Sequence, residues 1–215
     1  MLDPAGYQIQ SFLHESGASR VFRATRTADD TPVVLKLLKH DVAGASERMR
    51  YQRESDLLAA LELDGVPELL ALEQLDGAPM LVLRDTGADA LAWRRGVWPL
   101  AVAEVLDIAI GLVKILAGLH RHDVLHKDIN PTNIIYDRQR GVLEHIDFGC
   151  SSRRSRESVS ALSPHSLAGT WAYMSPEQTG RTNRVIDVRT DLYSLGVTLY
   201  ELLTKSLPFA AASTD

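Results

Sequence analysis

Two short phrases restrict what this chain can fold into more than anything else in it: His126-Lys127-Asp128-Ile129-Asn130-Pro131-Thr132-Asn133 and Asp147-Phe148-Gly149. Asp128 and Asn133 stand five residues apart, behind a long apolar-periodic stretch. Pro131 keeps this segment from continuing as helix, because it lacks an N–H and its ring clashes with the preceding turn. Asp147 follows Asn133 by fourteen residues, behind apolar Ile146. Any one of these residues alone would read as an ordinary turn aspartate or a capping asparagine. The ordered set at this spacing is what carries information.

The flanking pattern divides the chain in two. Before Arg84 the signal is strand-like, with runs over Tyr7 to Phe12, Ser19 to Thr25 and Pro32 to Leu38, and later over Leu69 to Leu75 and Met80 to Arg84. Asp76-Gly77 joins the last two as a hairpin. One helix is expected inside this half, Ser46 to Leu63, with Tyr51, Leu57, Leu58 and Leu61 on one side and Asp64-Gly65 ending it. Past a connector at Arg84 to Ala90 the character turns helical, over Leu100 to Arg121 and Asp191 to Leu203. Between those helices lies a polar loop, Ser151 to Ser166. The fold class is α+β, with a β-rich first part and a helical second part.

Composition excludes several classes. With 45% apolar and 24% charged residues over 215 positions, the chain is of ordinary globular type. A net charge of -5 argues against general nucleic-acid or anionic-membrane binding. The single cysteine, Cys150, allows no internal disulfide and no cysteine-built zinc site, which fits a reducing cytoplasm. Met1-Leu2-Asp3-Pro4 is no signal peptide, and the apolar stretch Ala101 to Leu119 carries Glu104, Asp107 and Lys114. Val105, Leu106, Ile108, Leu112, Ile115, Leu116 and Leu119 in that stretch recur at helical spacing, so it reads as a buried helix.

Lys36 is flanked by Val33, Val34, Leu35 and Leu37, so an internal charged role is expected for it rather than a solvated one. Glu54 and Glu47 both stand on the following helix, Glu47 nearer its start. Further on, Gly169-Thr170 and Ser175-Pro176-Glu177 bracket the end of the polar loop.

With these residues assembled, the chain resembles a eukaryotic-type Ser/Thr protein kinase domain from about Tyr7 to Phe209, with an N-lobe to about residue 86 and a C-lobe from about 87. The phrases HKDINPTN and Ser175 to Arg184 (SPEQTGRTNR) are similar to the N-terminal kinase module of bacterial proteins that also carry an ATP-binding regulatory segment and a sensor histidine kinase. The resemblance implies ATP and magnesium as cofactors and a protein substrate as partner, with no nucleic acid and no membrane. It implies Lys36 on the phosphates with Glu54 behind it, and Val21 among the nucleotide-binding positions. It further implies Asp147 and Asn133 on the metal, Asp128 as acceptor of the substrate hydroxyl proton, and Thr170 beside Asp128. Asp191 would brace the catalytic loop backbone, and His126 would pack on Phe148.

Three departures from the pattern carry expectations of their own. The glycine positions of the phosphate-covering loop, aligned on Val21, fall on His14, Ser16 and Ser19. Asn130 stands where most Ser/Thr kinases have lysine, and Lys127 where they have arginine. The chain stops just after the Asp191 helix, which implies a truncated C-lobe, a Glu177 without its arginine partner and an uncovered apolar face on Leu192 to Leu203. Two side readings complete the set: phosphorylation of Ser155, Ser158 or Ser160 beside Arg153, Arg154 and Arg156, and a small buried Cys150. The leading function is ATP-dependent phosphorylation of protein Ser/Thr hydroxyls in signalling. The alternative is a weak or inactive kinase-like regulatory module, and a small-molecule phosphotransferase ranks below both.

Overall fold

The computed structural model describes residues 4–153, 171–180, 182 and 184–209. The chain divides into two compact units, one built from residues up to 62 together with 66–88, the other from 63–65 and from 89 onward.

The first unit holds strands β1 (Tyr7–Glu15), β2 (Ser19–Arg26) and β3 (Thr31–Leu38), helix α1 (Ala45–Ala59), and strands β4 (Leu69–Leu75) and β5 (Ala78–Arg84). They form one antiparallel sheet in the order β1-β2-β3-β5-β4. The β4–β5 hairpin turns on Asp76 and Gly77, both at positive φ, as the Asp-Gly pair requires. Successive side chains of β3 point to opposite faces. Val33, Leu35 and Leu37 enter a core with Met80 and Val82 from β5 and Tyr7 from β1. Leu38 enters the cluster that contains Tyr51 of α1.

Helix α1 stops at Ala59 rather than reaching Leu63. The Ala60 and Leu61 amides bond to the carbonyls of Leu57 and Leu58, a 3-10-type closure that ends the α-helical ladder. Residues 63–65 therefore leave with the second unit, where the Gly65 carbonyl accepts from the His145 amide at 2.8 Å.

The second unit holds α2 (Val102–Arg121), β6 (Val124–Leu125), β7 (Ile134–Asp137), β8 (Val142–His145), β9 (Ser152–Arg153) and α3 (Val188–Thr204). Helix α2 buries the expected face, Val105, Ile108, Leu112, Ile115, Leu116 and Leu119. Leu106, expected on that face, is instead exposed, because it lies about 100° around the helix from Val105. Strands β7 and β8 pair antiparallel and lie tight on α2: a Cβ on Gly111 would stand 2.1 Å from the Leu143 side chain. Strand β6 pairs with β9. Helix α3 begins earlier than Asp191, because the carboxylate of Asp187 caps it by accepting from the Arg189 amide at 2.9 Å. Leu195, Val197 and Leu202 are buried on α3, whereas Leu192, Tyr200 and Leu203 are exposed, as expected for part of that face.

Candidate active site

In the first unit, antiparallel register sets Val21 of β2 directly opposite Lys36 of β3, so the two side chains share a face. The parity that sends Val33, Leu35 and Leu37 into one core sends Lys36 to the other side of the sheet. There its ammonium donates to both carboxylate oxygens of Glu54, at 2.7 and 2.8 Å. Both residues are buried, at 8% and 3% exposure, and the Tyr51 ring centroid lies 5.7 Å from the ammonium. Glu47 pairs with Arg50 within α1, so Glu54 is the lysine's partner.

The β1–β2 turn closes on itself. The Ser16 hydroxyl accepts from the Ala18 and Ser19 amides at 3.3 and 3.0 Å and lies 2.9 Å from the Ser19 hydroxyl. The Ser16 amide donates to the Ser19 carbonyl at 2.9 Å, and the Ala18 carbonyl accepts from the Lys39 amide at 2.9 Å. Glu15 lies 2.6 Å from Lys39 and 3.4 Å from Arg20, and these cations hold its carboxyl below the usual carboxylate range.

In the second unit, β6 runs into the His126–Asn133 segment, and α3 braces it from beneath. The fully buried carboxylate of Asp191 accepts from the His126 and Lys127 amides at 3.0 and 2.8 Å, and stands 2.8 Å from His120 Nε2. The expected bracing contact is therefore present. It steadies a strained point, since Lys127 adopts φ 67°. Gln178 adds a second brace, donating to the Lys127 carbonyl at 2.8 Å while accepting from the Ser175 amide and hydroxyl. The spacing Ser175-Pro176-Glu177-Gln178 signals the capping box but not the bond to Lys127, which joins residues 51 apart in sequence.

Asp128 is gripped at both carboxylate oxygens: Asn130 Nδ2 donates to Oδ1 and Asn133 Nδ2 to Oδ2, each at 2.9 Å. Asn133 Nδ2 also lies 3.0 Å from the Asp128 carbonyl. Strand β7 starts at the residue after Asn133, and the Ile146 amide returns from the end of β8 to the Asn133 carbonyl at 2.8 Å. One end of the β7–β8 ladder thus delivers both Asn133 and Asp147. Asp147 sits at φ 64° and accepts from the Gly149 amide at 3.2 Å. Phe148 is buried with its ring 4.6 Å from that of His126, the packing the resemblance implied.

His145 was not singled out in the sequence. Its ring stacks on His126 at 3.6 Å, and among the described residues neither of its ring nitrogens finds a hydrogen-bond partner. Burial, and then the neighbouring imidazole, push it well below the ordinary histidine range, so it is neutral at neutral pH. Glu177, expected to lack its arginine partner, accepts from the Thr190 hydroxyl at 2.8 Å. Cys150 is half-buried rather than fully buried. Thr170, Gly169, Ser155, Ser158 and Ser160 lie outside the described residues. Among the described residues, no three His, Cys, Asp or Glu side chains cluster to hold a metal by themselves, and no helix is long and apolar enough to cross a membrane.

The protein kinase domain model matches residues 7–215 of this chain. The chain is 31% identical to serine/threonine-protein kinase pkn3 of Myxococcus xanthus, a match over 96% of this chain and 39% of that protein. It is 29% identical to serine/threonine-protein kinase PrkC of Bacillus subtilis, over 96% of this chain and 32% of that one. Its identity to serine/threonine-protein kinase PknL of Mycobacterium tuberculosis is 32%, over 96% and 51%. The chain therefore spans between about a third and a half of the length of these relatives.

Proposed function

The chain belongs to the protein kinase domain family, and from that premise we propose that it transfers the γ-phosphoryl group of ATP to serine or threonine hydroxyls of proteins. The observation that supports this reading best is the gripped carboxylate of Asp128 beside the ladder end that carries Asn133 and Asp147.

The donor set fits the magnesium such a reaction uses. Magnesium takes one or two protein oxygens and fills its remaining positions with phosphate oxygens and water, so no three-residue cage is needed. The carboxylate of Asp147 and the amide oxygen of Asn133 would hold it, Asn133 having turned its nitrogen to Asp128. Bound ATP and magnesium would supply the phosphoryl group and neutralise its charge. Asp128 would then orient the acceptor hydroxyl and take its proton as the new P–O bond forms and the bond from the γ-phosphorus to the bridging oxygen breaks, releasing ADP. Lys36, kept forward by Glu54, would meet the phosphates, with Val21 on the same face of the sheet. Thr170 completes the proposed set. The HKDINPTN phrase supports further ATP-binding and sensor domains in a longer product, and the lone cysteine supports a cytoplasmic setting.

One observation favours the second reading, a regulatory module with weak transfer: the turn amides that would face a phosphate are tied to the Ser16 hydroxyl. Both readings are tested by incubating the chain with labelled ATP, magnesium and casein, beside Asp128→Asn and Asp147→Asn. Transfer that is lost in both variants is the expected result. Nucleotide-induced thermal stabilisation without transfer would overturn the first reading in favour of the second.

A further inference from the structure

Asn130 occupies a position where a side-chain cation is usual, yet its amide is wholly engaged inside the loop. Its Oδ1 accepts from the Thr132 amide at 2.9 Å and also from the Thr132 hydroxyl. Its Nδ2 donates to Asp128 Oδ1 at 2.9 Å, and the residue is only 2% exposed. The orientation of the amide follows from chemistry. A backbone N–H can only donate, so the Thr132 amide must face the oxygen, and the NH2 group is left for the carboxylate. A lysine has no acceptor and could not make this arrangement.

We propose that Asn130 is a positioning residue for phosphoryl transfer: with Asn133 it clamps the Asp128 carboxylate from both sides, and Thr132 locks the clamp. The terminal torsion of an aspartate is broad, so an unrestrained carboxylate samples many planes. Donors on opposite oxygens fix one plane, and a carboxylate oxygen can accept more than one hydrogen bond. Orientation of this kind governs rate, because a misplacement of about 1 Å at the reacting atoms costs on the order of 100-fold. The clamp replaces a charge on the transferred phosphate with rigidity at the base. It rests on the reading of Asp128 as the group that receives the hydroxyl proton.

The test has two arms on the full chain. In the first, side-chain amide exchange is followed by 15N NMR. The Asn130 NH2 protons should exchange about 10-fold or more slowly than a free amide, and Asp128→Ala should abolish that protection. Exchange at the free-amide rate in the wild type would overturn the clamp whether or not the chain transfers phosphate. In the second arm, kcat and KM for ATP are measured with casein as acceptor. Asn130→Ala should lose about 10–100-fold in kcat with KM for ATP changed by less than about 3-fold. Thr132→Val should fall between that variant and wild type, with Thr132→Ser restoring the rate. An Asn130→Ala enzyme with wild-type kcat would overturn the positioning role. A wild type that binds ATP and transfers nothing would instead remove the transferase reading, while the exchange arm still decides the clamp.

Discussion

The ammonium of Lys36 on β3 and the carboxylate of Glu54 on α1 meet through two hydrogen bonds of 2.7 and 2.8 Å, with almost no water at either group. Two buried charges of this kind depend on each other, since either one alone would be left desolvated and uncompensated.

Glu54→Gln is therefore expected to destabilise the chain by about 3–5 kcal/mol in urea unfolding, far more than an exposed ion pair would. The double variant Lys36→Met with Glu54→Leu should recover most of that loss, because no buried charge remains. Equal stability for Glu54→Gln and wild type would show that water reaches the pair.

Asp191→Ala removes the acceptor of the His126 and Lys127 amides. An unsatisfied buried N–H costs about 1–3 kcal/mol, so for the two amides a loss of about 2–6 kcal/mol is expected. Amide hydrogen exchange at His126 and Lys127 should accelerate in the variant more than exchange in β3. Uniform acceleration across the chain would mean that Asp191 supports the fold as a whole and not this loop.

Tyr7 donates to Glu73 at 2.8 Å, and burial, followed by that hydrogen bond, pushes its phenol up to about 12. In the unfolded chain the phenol ionises near its ordinary value of about 10. Between these values the unfolded state has lost a proton that the folded state keeps, so stability falls as pH rises from about 10 to 12. Tyr7→Phe should flatten this alkaline limb in urea unfolding curves while lowering stability at neutral pH. An unchanged alkaline slope would show that another group carries it.

His145 buries both ring nitrogens against the His126 ring, with no hydrogen-bond partner for either among the described residues. His145→Leu removes two desolvated polar atoms at similar volume and should raise stability by about 1 kcal/mol at pH 7.5. A lower melting temperature in that variant would mean that ring stacking outweighs the desolvation cost.

The β-rich first unit was legible because its strands alternate cleanly and the Asp76-Gly77 turn has one natural conformation. The Lys36–Glu54 pairing followed from the resemblance of Val33-Val34-Leu35-Lys36 to the kinase lysine strand, with a carboxylate on the next helix. The boundaries that were misjudged have local causes. α1 ends in a 3-10 closure that no hydrophobic pattern announces, and α3 starts at the Asp187 cap rather than at the more conspicuous Asp191. Strands β6 and β9 have two residues each, too short for any period to show. The grip of Asn130 on Asp128 was hidden for another reason. It depends on which way an amide faces, and Thr132 decides that through the backbone rather than through residue type.

The self-bonded β1–β2 turn has a thermodynamic consequence. An anion arriving there does not gain new hydrogen bonds to the Ala18 and Ser19 amides; it exchanges with a hydroxyl that already holds them. Ser16 is thus an internal competitor whose concentration cannot be diluted, since it is tethered to the donors it occupies. Only ligands whose oxygens are stronger acceptors than a neutral hydroxyl would profit from the exchange, so at this turn acceptor strength would be selected before shape.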